Sequence, residues 1–453
     1  LLLTSHSFLL AVQLTAAATV LVGVVLLRPG RRALVRAGLV AAPVMAGAIA
    51  YLRLVDPFHS HFPTSFFVWG ASPVVAAAIA GTAWRRRRLG ARLLSVLPVL
   101  GCGAFAAATI NAHYGYFPDL RSLTGKVAAH QVSRARVAKV ARVAETTGRL
   151  PANGYTFSLM VPNPRSRFHA RGTFVYLPPA WFATPRPTLP ALMLIAGSPG
   201  TPADWTRSAR ADEIADSFAR AHHGLAPILV MPDPNGGPFA DTECVDGPRG
   251  AADTFLSEDV RNFVITRYNA GARAVDWAIA GLSEGGTCAL TLSLRHPDKF
   301  AFAGDFGGEI APTVGKGTLR SIFGGSHQLM ASYDPLSLIA QHDSPGAAVW
   351  LEVGLGDRGP RAAARRLAPR LAAAQVQTCI VERTGQHNFG FWHTTLEHSL
   401  PWFAARLGLT TEDPARRCAL AAGRVVRPGS NPPTTPPRSP VTRTRMFVSS
   451  TGR

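Results

Sequence analysis

The pentapeptide Gly281-Leu282-Ser283-Glu284-Gly285 sets a serine between two glycines, and the chain around it reads strand, sharp turn, helix. The segment Trp277-Ala278-Ile279-Ala280 is apolar and short enough for a buried strand. Gly285 to Leu292 continues as a helix with small residues in its first turn. A strand-to-helix turn this tight needs glycines, because the serine backbone is strained and neighbouring side chains would clash. It holds the hydroxyl clear of the sheet, at the positive end of a helix. A small-residue turn in a Gly- and Ala-rich chain is the bland alternative, and the residues downstream separate the two.

A serine hydroxyl is a poor nucleophile unless a base takes its proton and an acid orients that base. In a strand-turn-helix setting the expected chain order is Ser, then Asp or Glu, then His. Val349 to Val353 reads as a strand and runs into Gly354-Leu355-Gly356-Asp357, which puts Asp357 just past a strand's carboxyl end. A helix over about 360–374 and a strand at Thr378 to Val381 follow, then the loop Gly385-Gln386-His387-Asn388-Phe389. His387 is therefore the expected base and Asp357 the expected acid. His393 is the fallback base; Glu352 and Asp305 compete for the acid role. Two N–H donors must also face the oxyanion that forms on a carbonyl under attack. The expectation is the backbone N–H of Glu284 and that of Ser198, in Ala196-Gly197-Ser198-Pro199-Gly200 after the strand Leu192 to Ile195; Pro199 has no N–H to give.

From about 155 to 409, apolar β-rich segments recur with helical stretches between several of them. They are Tyr155 to Val161, Thr173 to Leu177, Leu192 to Ile195, Pro227 to Met231, Trp277 to Ala280, Phe300 to Ala303, Val349 to Val353 and Thr378 to Val381. The first two alternate and suit an antiparallel edge; the rest are continuous apolar runs that suit a parallel sheet covered on both faces. The fold class is α/β.

Upstream lie four apolar runs, Phe8 to Leu27, about Ala37 to Leu52, Ser65 to Trp84 and Leu93 to Ile110. Crossing a bilayer takes roughly 20 apolar residues as helix. The second run is the shortest and contains Pro43. Arg28, Arg31, Arg32 and Arg36 fall between runs one and two, and Arg85 to Arg88 with Arg92 between runs three and four, while 56–62 has no Lys or Arg. Positive loops stay in the cytoplasm, so everything after run four is expected to be extracytoplasmic. The expected domains are a four-helix transmembrane region at 1–114, a stalk at 115–150, a catalytic domain at 151–409 and a disordered Pro- and Arg-rich tail at 410–453. The stalk helix over 127–144 reads as a solvated connector or a helix lying on the membrane surface.

The net charge of +20 comes mostly from arginine. No zinc-finger, RNP or basic-zipper pattern accompanies it, so no nucleic-acid partner is expected. An outward-facing domain permits a disulfide between Cys244 and Cys288, two unrelated buried thiols being the alternative. Cys102, Cys379 and Cys418 suggest no metal site. Asp233, Asp241, Asp246 and Asp253 could form a calcium surface, but their irregular spacing favours loop capping. No cofactor motif is present.

The chain resembles the actinobacterial esterases of the esterase-D and mycolyltransferase group of α/β-hydrolases. The residues that carry this are Val175-Tyr176-Leu177-Pro178-Pro179, Gly197 to Gly200 with Asp204-Trp205, Gly281 to Gly286, Gly356-Asp357, and Gly385-x-His387-x-Phe389-x-x-Trp392. The resemblance covers most of 170–409 and implies an α/β-hydrolase fold with Ser283, Asp357 and His387 in the roles above. It implies a serine esterase, or an acyltransferase using the same residues; the membrane helices, which would anchor the site near envelope lipids, point to an ester of an acylated lipid or glycolipid as the substrate. A hydrolase-shaped binding domain is the rival of a different class. The loop lacks the histidine often found before its glycine, and Glu284 stands where Met or Tyr is usual; a carboxylate there could oppose a developing oxyanion.

Overall fold

The computed structural model describes residues 2–54, 64–84, 89–124, 127–341 and 346–423. The Lys- and Arg-free loop at 56–62, the arginines 85–88 and the tail beyond 423 lie outside the described residues.

Four apolar helices open the chain: α1 (His6–Leu27), α2 (Arg31–Leu54), α3 (Thr64–Ala83) and α4 (Leu89–Tyr114). Both α1 and α3 pack on α4, and α2 packs on α3. Three of them are long and apolar enough to cross a bilayer, over His6–Val25, Arg31–Tyr51 and Leu89–Tyr114. The remaining expected span, α3, is a helix of 20 residues whose apolar stretch among the described residues, Phe66–Gly81, is shorter than the other three. The second run, by contrast, gains length because its helix continues through Pro43 and starts among the arginines 31, 32 and 36, which an apolar-run criterion leaves out.

The rest of the described chain is built on an eight-stranded sheet: β1 (Tyr155–Leu159), β2 (Thr173–Leu177), β3 (Ala191–Ile195), β4 (Ile228–Met231), β5 (Trp277–Leu282), β6 (Phe302–Phe306), β7 (Ala348–Gly354) and β8 (Gln377–Arg383). Their spatial order is β1-β2-β4-β3-β5-β6-β7-β8. β2 runs antiparallel to both β1 and β4; every other pairing is parallel. One strand sits later than read: β6 is Phe302–Phe306 rather than 300–303, because Phe300 is buried ahead of it as a core side chain.

Side chains alternate between the two faces along the strands, and both faces are buried, as a two-sided sheet requires. In β5, Ala278, Ala280 and Leu282 face a layer holding Trp205, Trp350 and Trp402, while Trp277 and Ile279 face one holding Trp181, Phe255 and Leu292. Two helices cover these faces: α7 (Glu284–Arg295) brings Cys288, Ala289 and Leu292 to the second layer, and α9 (Phe389–Arg406) brings Leu396, Leu400 and Phe403 to the first. The labelled helices after the membrane region are α5 (Arg134–Thr147), α6 (Ala211–Ala221), α7 (Glu284–Arg295), α8 (Arg358–Ala373), α9 (Phe389–Arg406) and α10 (Pro414–Ala421).

Two stretches expected to be loose are packed. Val137 and Ala144 of α5 are buried, and Val140 and Ala141 lean on the same layer. That i, i+3, i+4, i+7 stripe makes α5 part of the domain's core rather than a solvated or membrane-lying connector. The tail expected from 410 begins instead with α10, which a Cys379–Cys418 disulfide ties to β8. No pairing of these two cysteines is expected from sequence, because nothing local relates a strand thiol to one 39 residues on. The expected Cys244–Cys288 disulfide is also formed. Cys102, buried in α4, is the remaining thiol.

Alkylation of the denatured, non-reduced protein should therefore add one label, and five after reduction; two or more labels before reduction would contradict the pairing. Cys418→Ser should lower stability by about 2–4 kcal/mol, read by thermal denaturation.

Candidate functional site

Ser283 sits between β5 and α7 with φ at +55° and ψ at −128°. A side-chain-bearing residue is rare in this region, and the surroundings hold it there. Its N–H donates to the Phe306 carbonyl at 3.1 Å, and its carbonyl accepts from Gly286 at 2.8 Å. A Cβ on Gly281 would overlap the Gly285 backbone, so the turn closes only with glycine there.

β5, β7 and β8 are parallel members of one sheet, so the loops after them meet at one rim. Asp357 follows β7 directly ahead of α8, and His387 lies between β8 and α9. His387 Nδ1 is 2.6 Å from Asp357 Oδ2, and Nε2 is 2.9 Å from Ser283 Oγ. Asp357 offers acceptors, so Nδ1–H donates to it and Nε2 is left to accept from the serine hydroxyl. The imidazole is held from its next residue: the Asn388 side chain accepts from Phe391 N–H at 2.9 Å and caps α9. The Trp392 ring stands edge-on to His387 with centroids 4.8 Å apart, fixed by its own N–H on the Phe306 carbonyl.

The competing groups are engaged elsewhere. His393 Nδ1 is 2.8 Å from the Ala209 carbonyl. Glu352 is buried against Trp350 Nε1 and Arg383. Asp305 Oδ1 accepts from Gly308 N–H at 2.6 Å, and burial pushes its carboxyl up to about 7.

The loop 197–200 meets the Ser283 turn from β3: a Cβ on Gly197 would come within 2.9 Å of Ser283 Cβ. Ser198 and Glu284 thus flank Ser283, each from its own loop. The hydroxyl of Ser198 donates to the Ala240 carbonyl at 3.0 Å, and Gly200 N–H donates to Pro238. Arg171 adds a clamp, pairing with buried Asp233 at 2.6 Å and donating to the Gly200 carbonyl at 3.2 Å. The Cys244–Cys288 disulfide fastens this 233–246 loop to α7.

Glu284 turns its side chain toward that loop, where Oε2 accepts from Asn235 Nδ2 at 2.8 Å. Burial first, and then the charge of Asp241, push its carboxyl well above the usual carboxylate range. Glu243 is pushed the same way by burial, Asp241, Glu284 and Glu309. Asn235, Arg171 and the ring contact of Trp392 on His387 were not singled out from sequence; a lone Asn or Arg in a long loop carries no local signal. Asp233, Asp246 and Asp253 bind separate partners, namely Arg171, Thr254 and the Arg295, His296 and Tyr333 group. Among the described residues, no group of three or more His, Cys, Asp or Glu is arranged to hold a metal ion.

Known proteins share these features to different extents. A protein of Corynebacterium glutamicum with no assigned function is 29% identical over 423 residues, covering 90% of this chain and 97% of its own. The MPT51 antigen of Mycobacterium leprae is 39% identical over 61 residues, 14% of this chain and 20% of the antigen. Among solved structures, a ferulic acid esterase aligns with a TM-score of 0.47 at 19% identity, covering 56% of this chain and 98% of its own. An S-formylglutathione hydrolase from Agrobacterium tumefaciens has the same score and identity, over 57% and 98%. The Esterase family model matches residues 169–403, more than half of the chain, running from ahead of β2 into α9 and including Ser283, Asp357 and His387. This chain belongs to the Esterase family.

Proposed function

We propose that this protein is a membrane-anchored serine esterase whose catalytic domain lies outside the cytoplasm. The observation that carries the reading is the unbroken hydrogen-bond chain Asp357–His387–Ser283, 2.6 and 2.9 Å long. Ser283 Oγ attacks the ester carbonyl as its proton passes to His387 Nε2. Asp357 holds the imidazole in the required tautomer and offsets the charge it acquires. The N–H groups of Ser198 and Glu284 stabilise the oxyanion. The leaving alcohol takes the proton from His387, and water then attacks the acyl-enzyme by the same route in reverse. An acylated lipid or glycolipid is the substrate that the membrane helices favour. Two disulfides support an oxidising compartment, in line with cytoplasmic arginine loops on the other side of the membrane.

The resemblance to mycolyltransferases keeps acyl transfer as a second outcome of the same acyl-enzyme, with a sugar hydroxyl in place of water. Product analysis with and without a sugar acceptor distinguishes the two.

Glu284 need not oppose the oxyanion. Its carboxyl turns to Asn235 and keeps its proton at pH values where an exposed glutamate has lost it. The folded protein therefore holds this proton more tightly than the unfolded chain. The stability it contributes is complete below about pH 4.5 and is lost as pH rises through the raised folded value. Asp253 and Glu382, whose partners depress them, are ionised in both states above that pH and add no slope.

Ser283→Ala and His387→Ala should each cut kcat/KM for p-nitrophenyl butyrate by at least about 10⁴-fold, and Asp357→Asn by roughly 10³–10⁴-fold. Activity within tenfold of wild type in either of the first two would remove the assignment. Thermal stability should fall as pH rises above about 4.5, and Glu284→Gln should flatten that fall; an unchanged slope would show that Glu284 does not hold its proton more tightly in the folded protein.

A further inference from the structure

The last turn of α4 is bonded directly to the loop that carries the catalytic base. Asn388 Nδ2 donates to the His113 carbonyl at 3.0 Å, and His387 is the preceding residue. Just past α4, Tyr116 stacks edge-on against Phe389 at 5.5 Å, and its hydroxyl donates to Asp204 at 2.9 Å. Arg207 donates to that hydroxyl at 2.8 Å, and Ser208 Oγ to the Tyr116 carbonyl at 2.8 Å. No flexible tether separates the end of this span from the site.

Two observations fix the depth of that junction. The apolar run of α4 ends at Ile110, and His113 lies three residues on, about 4.5 Å along the helix axis. Around His113 is a ring cluster from two helices. Phe66 contacts Trp69 at 5.2 Å, His113 at 4.9 Å and Tyr114 at 5.7 Å. Such clusters mark the membrane–water interface. One hydrogen bond and one Cα step then reach His387, on the order of 10 Å from the hydrocarbon edge. The interfacial zone is itself about 5–7 Å deep on each side. The ester bonds of a membrane lipid lie at the inner edge of that zone.

The other loop at the site carries an exposed aromatic. Phe239 is 81% exposed, yet both its neighbours are tied by their backbone carbonyls to the 198–200 loop. A phenyl ring held outward at the rim gains nothing in water and about a full side chain's transfer energy in a bilayer interface.

Resting on the esterase reading above, we infer that this protein lifts its substrate ester out of the bilayer, a glycerolipid ester raised from the hydrocarbon–headgroup boundary through the headgroup zone to the rim, with Phe239 dipping into the same leaflet. Docking of α4 sets the depth, and Phe239 sets the approach of the rim.

The test uses the full-length protein in phosphatidylcholine vesicles, with a fluorogenic long-chain diacylglycerol in the bilayer and p-nitrophenyl butyrate in the water. Phe239→Ser should lower turnover of the bilayer ester by about tenfold, while the soluble ester stays within twofold of wild type. In Phe239→Trp, fluorescence above that of the eight native tryptophans should be quenched by lipids brominated near the head of the acyl chain. Equal loss on both substrates, no loss on either, or an added tryptophan insensitive to bromolipids would overturn the inference. Failure of wild type to hydrolyse the soluble ester or to take up a fluorophosphonate would instead strike the esterase reading, while bromolipid quenching would still report where Phe239 lies.

Discussion

The His387 imidazole, bonded to Asp357 on one side and to Ser283 on the other, is the interaction on which the site depends. These residues are 30 and 104 positions apart in the chain. They meet because β5, β7 and β8 run parallel in one sheet, so that the loops after them leave at the same rim. An antiparallel sheet would send alternate loops to opposite edges and separate His387 from Ser283. Much of the surrounding structure serves this alignment: Trp392 edges the imidazole, Asn388 starts α9 immediately behind it, and the Phe306 carbonyl binds both the Ser283 N–H and the Trp392 indole.

A second layer of constraint acts on the loops that flank Ser283. The 233–246 loop is tied to α7 by Cys244–Cys288, to the β3 loop through Ser198, Gly200 and Arg171, and to the Ser283 turn by Asn235 on Glu284. These ties hold the Ser198 and Glu284 backbone in place before a substrate arrives, which is what their proposed role as oxyanion donors requires. The buried carboxyl of Glu284 fits the same logic: burial beside Asp241 favours its neutral form, so the turn carries a polar side chain without a full charge.

The sheet, its antiparallel edge and the strand-turn-helix around Ser283 were legible because they rest on local pattern: continuous apolar runs, alternation, and glycines where a turn is tight. Asp357 and His387 were legible because each follows a strand in the order that the sheet imposes. What sequence could not supply was long-range pairing. Cys379 and Cys418 look unrelated until α10 packs beside β8. The stripe of Val137, Val140, Ala141 and Ala144 has a helical period, but only the fold shows that it faces the core rather than a lipid surface. The membrane helices were misjudged at their ends for a related reason. Apolar runs stop at charges, whereas the helix of α2 continues through them.

The central claim is that Ser283 becomes covalently acylated. Its most direct measurement is peptide mass spectrometry after reaction of the folded, full-length protein with a fluorophosphonate. The account predicts a single adduct, on the peptide containing Ser283, formed by native protein and lost when His387 is replaced by alanine. An adduct on any other residue, or none while ester hydrolysis continues, would contradict it.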